Sequence, residues 1–206
     1  MLIFSVNNGR FETVLIQRVR EPFKGMWSAP GDIIDIHESL DEAAQRILLE
    51  KTGIKNVYLE QLYTFGNPKR DKRGRVITVA YFALIPHKSV DLSQAPNALH
   101  ASWFPVGHLP TMAFDHKKIV KYAVERIRAK IGYSTIAHGL VPEKFRLSEL
   151  QKVYELILKQ SIDKRNFVKR LKNFGLVEPT GEIDRTGHHR PAKLYKFTSK
   201  ELVIFR

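Results

Sequence analysis

Among the ionisable residues of the stretch PGDIIDIHESLDEAAQRILLEKTGI, the spacing of Asp32, Glu38, Arg46, Glu50 and Lys51 stands out. Arg46 and Glu50 are four apart, one turn of a helix, so Glu50 is expected to pair with Arg46 or to sit in solvent. Lys51 brings an ammonium group one helical turn from Ile47. Further along, Arg70, Arg73 and Arg75 cluster around Gly74, and guanidinium groups match phosphate oxygens in pairs. In DKRNFVKRLKNFG, Lys164, Arg165, Asn166, Lys169, Arg170 and Lys172 combine side chains that contact base edges with side chains that contact phosphates.

Each group needs an element to hold it. Ser39 can cap a helix, Glu42 three residues on completes a capping box, and Gly53 ends the helix, with Leu40, Ala44, Ile47 and Leu48 at helical spacing. Around it run LIFSV, ETVLIQR, VYLEQLYTF, VITVAYFALI and ASWFPV, rich in Val, Ile, Tyr and Phe, with NNGR as the first turn. These predict a mixed sheet with a helix packed on it. A second helix is expected over 115–129, its inward stripe formed by Ile119, Ala123, Val124 and Ile127. The segment that follows, IGYSTIAHGLVPEKF, lacks periodicity and marks a boundary between domains 1–138 and 139–206.

The second domain reads as helix, short turn, helix, strand, basic loop, strand. Leu147, Leu150, Val153, Tyr154 and Ile157 make its first helix amphipathic. Asp163 caps the second, Gly175 stops it, and Phe167, Leu171 and Phe174 form its buried row. A helix joined to its predecessor by a short turn and followed by a two-stranded basic loop is a winged helix-turn-helix, whose second helix enters the major groove. Arg185, His189 and Arg190 then fall on or near the wing, close to phosphates or the minor groove.

The charge distribution agrees. Of the formal +13, residues 1–110 carry +2 and residues 111–206 carry +11, so the polyanion-attracting surface lies in the second half. The absence of cysteine excludes disulfides, thiolate metal sites and a cysteine nucleophile. No long apolar run or signal-peptide pattern is present, so the expected address is the cytoplasm, with no membrane partner. None of the eight histidines suggests a metal site.

The spacing from Asp32 to Ile54 resembles the Nudix box: Gly, five residues, Glu, seven residues, Arg-Glu, an aliphatic, any residue, Glu-Glu, any residue, Gly, an aliphatic. Asp32 stands at the first Gly, then Glu38, Arg46, Leu48, Glu50, Gly53 and Ile54 hold their places, while Ile47 and Lys51 replace two metal-binding carboxylates. The resemblance implies a Nudix-like fold without diphosphate hydrolysis, leaving Arg70, Arg73 and Arg75 as candidate effector contacts.

With the basic domain behind it, the whole chain resembles the NrtR-type, Nudix-related transcriptional regulators. That likeness implies an α+β protein: a repressor whose Nudix domain senses ADP-ribose or a related phosphate-bearing metabolite, with no other cofactor. It also implies a homodimer on a palindromic double-stranded operator, controlling genes of NAD biosynthesis or sugar use. The rival reading is a Nudix diphosphatase acting on ADP-ribose or a nucleotide sugar.

Overall fold

The computed structural model describes residues 1–55, 57–87, 92, 101–185 and 191–205. The chain divides into two compact units, Met1–Arg126 and Ile127–Arg206. This division falls inside a helix, ahead of the 138/139 boundary expected from the sequence.

The first unit is built on a six-stranded mixed sheet. β1 (Leu2–Asn7) and β2 (Arg10–Gln17) form a hairpin closed by Asn8 and Gly9, both at positive φ, the backbone sense that matches the twist of paired strands. β1 also runs parallel to β5 (Thr78–Leu84), which pairs antiparallel with β4 (Leu59–Phe65). β2 pairs in addition with β3 (Trp27–Ser28) and β6 (Ala101–Pro105). The two-residue β3 has no pattern of its own in the sequence. It is fixed by distant contacts, a bridge from Trp27 to Met112 and a hydrogen bond from Ala113 N to Trp27 O of 2.8 Å.

α1 (Leu40–Thr52) has the caps the sequence promised. Ser39 Oγ accepts from Glu42 N, the Glu42 carboxylate accepts from Ser39 N, and Gly53 closes the helix at φ 72°. Its buried face is Ala43, Ala44, Ile47, Leu48 and Thr52; Leu40, expected in that stripe, is 40% exposed because it is the first helical residue, just past the cap. Leu48 packs with Ile3, Val14, Ile54 and Ile85, anchoring the helix to β1 and β2 through a dry apolar cluster. α2 (His116–Ile131) buries Ile119, Val120, Ala123, Val124, Ile127 and Ile131.

In the second unit, a 3-10 turn (Ile136–Leu140) precedes α3 (Leu147–Leu158) and α4 (Lys164–Asn173). α3 buries Leu150, Val153, Tyr154 and Ile157, and α4 buries Phe167 and Leu171, with the Tyr154 and Phe167 rings edge to face at 5.0 Å. Phe174, expected in that row, is 43% exposed, since it caps the helix rather than belonging to it. β7 (Val177–Asp184) and β8 (Ala192–Phe197) form an antiparallel wing, and Phe145 bridges to Tyr195 through a pair of backbone hydrogen bonds.

The turn from α3 to α4 is tied to α3. Ile162 N donates to Glu155 Oε1 at 2.9 Å, and Gln151 Nε2 donates to Ile162 O at 3.0 Å. Asp163 then caps α4 by accepting from Asn166 N at 2.8 Å.

Candidate functional site

α1 places the degenerate box residues beside the loop 31–38, where Asp32, Ile33, Ile34, Asp35, His37, Glu38 and Arg46 line an open depression of about 630 Å³. Arg46 is its organiser. Its guanidinium holds both Glu38 oxygens, at 2.9 and 2.5 Å, reaches Glu50 at 3.4 Å and donates to Ile33 O at 3.2 Å. The hydrogen bond from Arg46 draws the Glu38 carboxyl down to about 2, so it stays a carboxylate throughout the working pH range.

The residues at the metal-carboxylate positions do not fit a divalent cation. Ile47 is 8% exposed and packs inward as core. Glu50 is engaged by Arg46, and the Lys51 ammonium forms an ion pair with Asp32 at 2.8 Å. That hydrogen bond lowers the Asp32 pKa. The acid at the Gly position and the base at the Glu position thus pair with each other. Among the described residues no three His, Asp or Glu side chains form a cation cluster.

The three arginines expected to face an effector have different fates. Arg70 is not a free donor. Its side chain is 5% exposed, Nε and Nη2 donate to Asp115 at 3.0 and 2.7 Å, and Nη1 donates to Thr78 Oγ1 at 2.6 Å. A buried guanidinium needs such full pairing, and here it clamps β5 to the start of α2. Arg75 is exposed and donates to Gly66 O at 2.6 Å. Arg73 is 59% exposed and grips Asp71 with two nitrogens, at 3.1 and 2.7 Å, which pulls the Asp71 carboxyl down to about 2.

Two residues not singled out from the sequence join Arg73. Its guanidinium lies 5.6 Å from the Phe114 ring centroid, and that of Arg18 lies 4.8 Å from the same centroid. Arg18 lies in the basic and aromatic segment before the box, and Phe114 just ahead of α2, where no pattern in the sequence marks it. Trp27 packs on Phe104 at 4.5 Å, Phe23 on Phe114 at 4.9 Å, and Tyr63 on Tyr122 at 5.1 Å and Phe65 at 5.2 Å, all as parts of small aromatic clusters.

In the second unit, α4 turns Lys164, Arg165, Asn166, Lys169 and Lys172 outward, all exposed, and among the described residues none of these four cations has a carboxylate partner. Arg170 differs from the sequence expectation: it donates to Gly132 O and lies 5.2 Å over the Phe205 ring, so it ties α4 to its own unit. The wing strand β7 is acidic, but Glu178 pairs with Lys196 at 3.0 Å, Glu182 with Lys144, and Asp184 with Arg146 at 2.6 Å. Arg185 is exposed at the wing's edge, whereas His189 and Arg190 lie outside the described residues.

A mixed sheet carrying a capped box helix, together with a helix-turn-helix and a paired wing, defines a two-unit protein: a Nudix domain and a winged-helix DNA reader. The NUDIX domain profile matches residues 1–123, and that of the NrtR DNA-binding winged helix domain matches residues 137–197. The chain belongs to the NrtR family of Nudix-related transcriptional regulators. It is 40% identical over 205 residues to the ADPR responsive transcriptional repressor NtrR of Acinetobacter baylyi, covering 98% of this chain and 81% of that protein.

Among solved structures, NrtR of Shewanella oneidensis complexed with a 27mer DNA is similar at a TM-score of 0.86 and 35% identity, over 95% of this chain and 90% of the other. The NUDIX domain of the same Shewanella protein, complexed with ADP ribose, matches at a TM-score of 0.54 and 36% identity, over 61% of this chain and 84% of that one.

Proposed function

We propose that this chain is a transcriptional repressor that binds double-stranded DNA through α4 and the wing and responds to ADP-ribose through its Nudix unit. The carrying observation is the outward face of α4. Arg165 and Asn166 stand in its first turn, where a recognition helix meets base edges, and Lys169 and Lys172 lie where phosphates pass. The likeness to a repressor named for ADP-ribose and to a Nudix domain holding ADP-ribose supports the effector. Among the described residues no helix is long and apolar enough to cross a membrane, which suits a DNA-binding protein of the cytoplasm.

The Nudix unit acts here as a sensor without turnover, because one box carboxylate, Glu50, remains and Arg46 engages it. The protein works as a homodimer on a palindromic operator, since two-fold symmetry doubles the half-site contacts, and it controls genes of NAD or sugar metabolism. ADP-ribose acts by binding DNA-competent and DNA-incompetent states with different affinity.

The test is selection from random duplex DNA by the full chain, with and without ADP-ribose, alongside a product assay with Mg²⁺ and Mn²⁺. An enriched palindrome whose recovery changes with ADP-ribose is the expected result. ADP-ribose cleavage that disappears in Glu50→Ala, with no enriched sequence, would favour the diphosphatase instead.

A further inference from the structure

The first unit contains two cations against one ring. The Arg18 and Arg73 guanidinium groups lie 4.8 and 5.6 Å from the centroid of Phe114. Burial, and then repulsion from Arg73, lower the Arg18 pKa, and Asp71, whose carboxylate field raises it, is held by two nitrogens of Arg73. Glu21 adds a weaker favourable field at Arg18, but among the described residues Arg18 has no salt bridge. Like charges held side by side with one carboxylate between them leave an excess positive charge.

The backbone holds Arg18 in this position. Arg18 N donates to Met26 O at 2.9 Å, Gly25 N donates to Arg18 O at 2.8 Å, and Arg18 Nε donates to Pro22 O at 2.8 Å. Nη2 donates to Arg20 O at 3.4 Å, so among the described residues Nη1 remains for an acceptor. The ring it lies against is itself held under strain: Phe114 has φ 54°, and Phe23, packed edge-on to it at 4.9 Å, has φ 66°. Left-handed backbone at a bulky residue costs on the order of 1 kcal/mol or more, and such costs persist where surrounding structure and function hold them. Two strained phenylalanines in contact, with two guanidinium groups stacked on one of them, make a preorganised surface with unspent positive charge.

We propose that Arg18 and Arg73, floored by Phe114, form the seat for phosphoryl oxygens in the first unit. The inference rests on the effector reading and names the groups that hold the effector's diphosphate. Guanidinium offers paired donors to phosphoryl oxygens, the bound anion cancels the repulsion between the two arginines, and Asp71 sets the geometry of Arg73 at the cost of part of its charge.

The test is calorimetric titration of the full chain at low ionic strength with inorganic pyrophosphate, ADP-ribose and, as an uncharged control, adenosine. The variants are Arg18→Gln, Arg18→Lys, Arg73→Gln and Asp71→Asn. Pyrophosphate and ADP-ribose are expected to bind the native chain, and Arg18→Gln to weaken both by roughly tenfold or more, as loss of a charge-assisted contact does. Arg18→Lys should recover part of the loss, and Asp71→Asn, which releases Arg73, should tighten pyrophosphate; a purely structural role for these residues would not produce that opposite sign.

ADP-ribose binding unchanged in both Arg18→Gln and Arg73→Gln would overturn the seat and leave the effector reading standing. Pyrophosphate binding that depends on Arg18 in a protein indifferent to ADP-ribose would keep the seat and overturn the effector. Binding of neither would overturn both. Arg73→Gln, at an exposed side chain, keeps the question decidable if Arg18→Gln fails to fold.

Discussion

Lys51 Nζ stands 2.8 Å from Asp32 Oδ2, so the two positions at which the box departs from its pattern in opposite charge senses are bonded to each other. Neither residue alone would suit the site: Asp32 would add a carboxylate with no cation, and Lys51 would place an ammonium among hydrogen-bonded acids.

The first prediction follows from that pair. ADP-ribose binding by the full chain is expected to have the same affinity in EDTA as in Mg²⁺ or Mn²⁺, because an ammonium already supplies the positive charge. Isothermal titration checks it; an affinity that collapses on chelation would mean that a metal does bind. Conversely, the triple change Asp32→Gly, Ile47→Glu, Lys51→Glu should create a Mn²⁺ site measurable by direct metal titration.

On α4 the outward residues should separate by role. Arg165→Ala or Asn166→Ala is expected to cost about 1–3 kcal/mol on the preferred sequence and to relax preference at one position. Lys169→Ala or Lys172→Ala should weaken all duplexes alike and reduce the slope of log K against log salt by about one. Binding to specific and random duplexes over a salt series distinguishes the two. Four variants that all bind as the native chain does would remove α4 from the DNA surface.

Arg170 should behave differently from its neighbours. Since it bonds Gly132 O and lies over Phe205, Arg170→Ala is expected to lower the stability of the second unit by roughly 1–2 kcal/mol while leaving sequence preference intact. Chemical denaturation followed by DNA selection at a temperature where the variant is folded would show it.

The Arg70 and Asp115 side chains, 5% and 18% exposed, form a largely buried pair, so removing one leaves the other without its partner. Arg70→Ala should destabilise the first unit by about 3–5 kcal/mol, read as an earlier unfolding transition. A variant as stable as the native chain would mean that Asp115 finds water or another partner.

His116 gives the pH dependence. Its Nδ1 accepts from Ala29 N at 3.1 Å, and burial holds its pKa down to about 4, so the folded state keeps the ring neutral. The unfolded chain takes up that proton first, as pH falls below about 6.5, so stability is full above that value and declines until about pH 4. The decline attributable to this ring is at most on the order of 3 kcal/mol. His116→Asn, which keeps an acceptor without the titration, should flatten the stability profile between pH 4 and 6.5; an unchanged slope would assign it to other groups.

Local signals carried well into the structure. Ser39, Glu42 and Gly53 bound α1 through contacts within a few residues, and the Asn8–Gly9 turn is a property of those two residues, one of which needs no Cβ, so both could be read directly. The outward face of α4 followed from helical spacing alone. What escaped was long-range. A charged side chain is taken to face water until a distant partner claims it, as Asp115 claims Arg70 and Gly132 claims Arg170. Asp32 and Lys51 were visible as two separate oddities but not as a bonded pair, and Arg18 became notable only when folding brought Phe114 and Arg73 to it.

The stitching of the α3–α4 turn also limits how control can work. With Ile162 bonded to both Glu155 and Gln151, and Asp163 capping the next helix, the angle between the two helices is fixed by side chains on the helices themselves. The DNA reader is then a stiff tool rather than a hinge. In the proposed repressor a ligand gains no leverage by bending this tool, so its signal passes as displacement of the whole tool on the DNA.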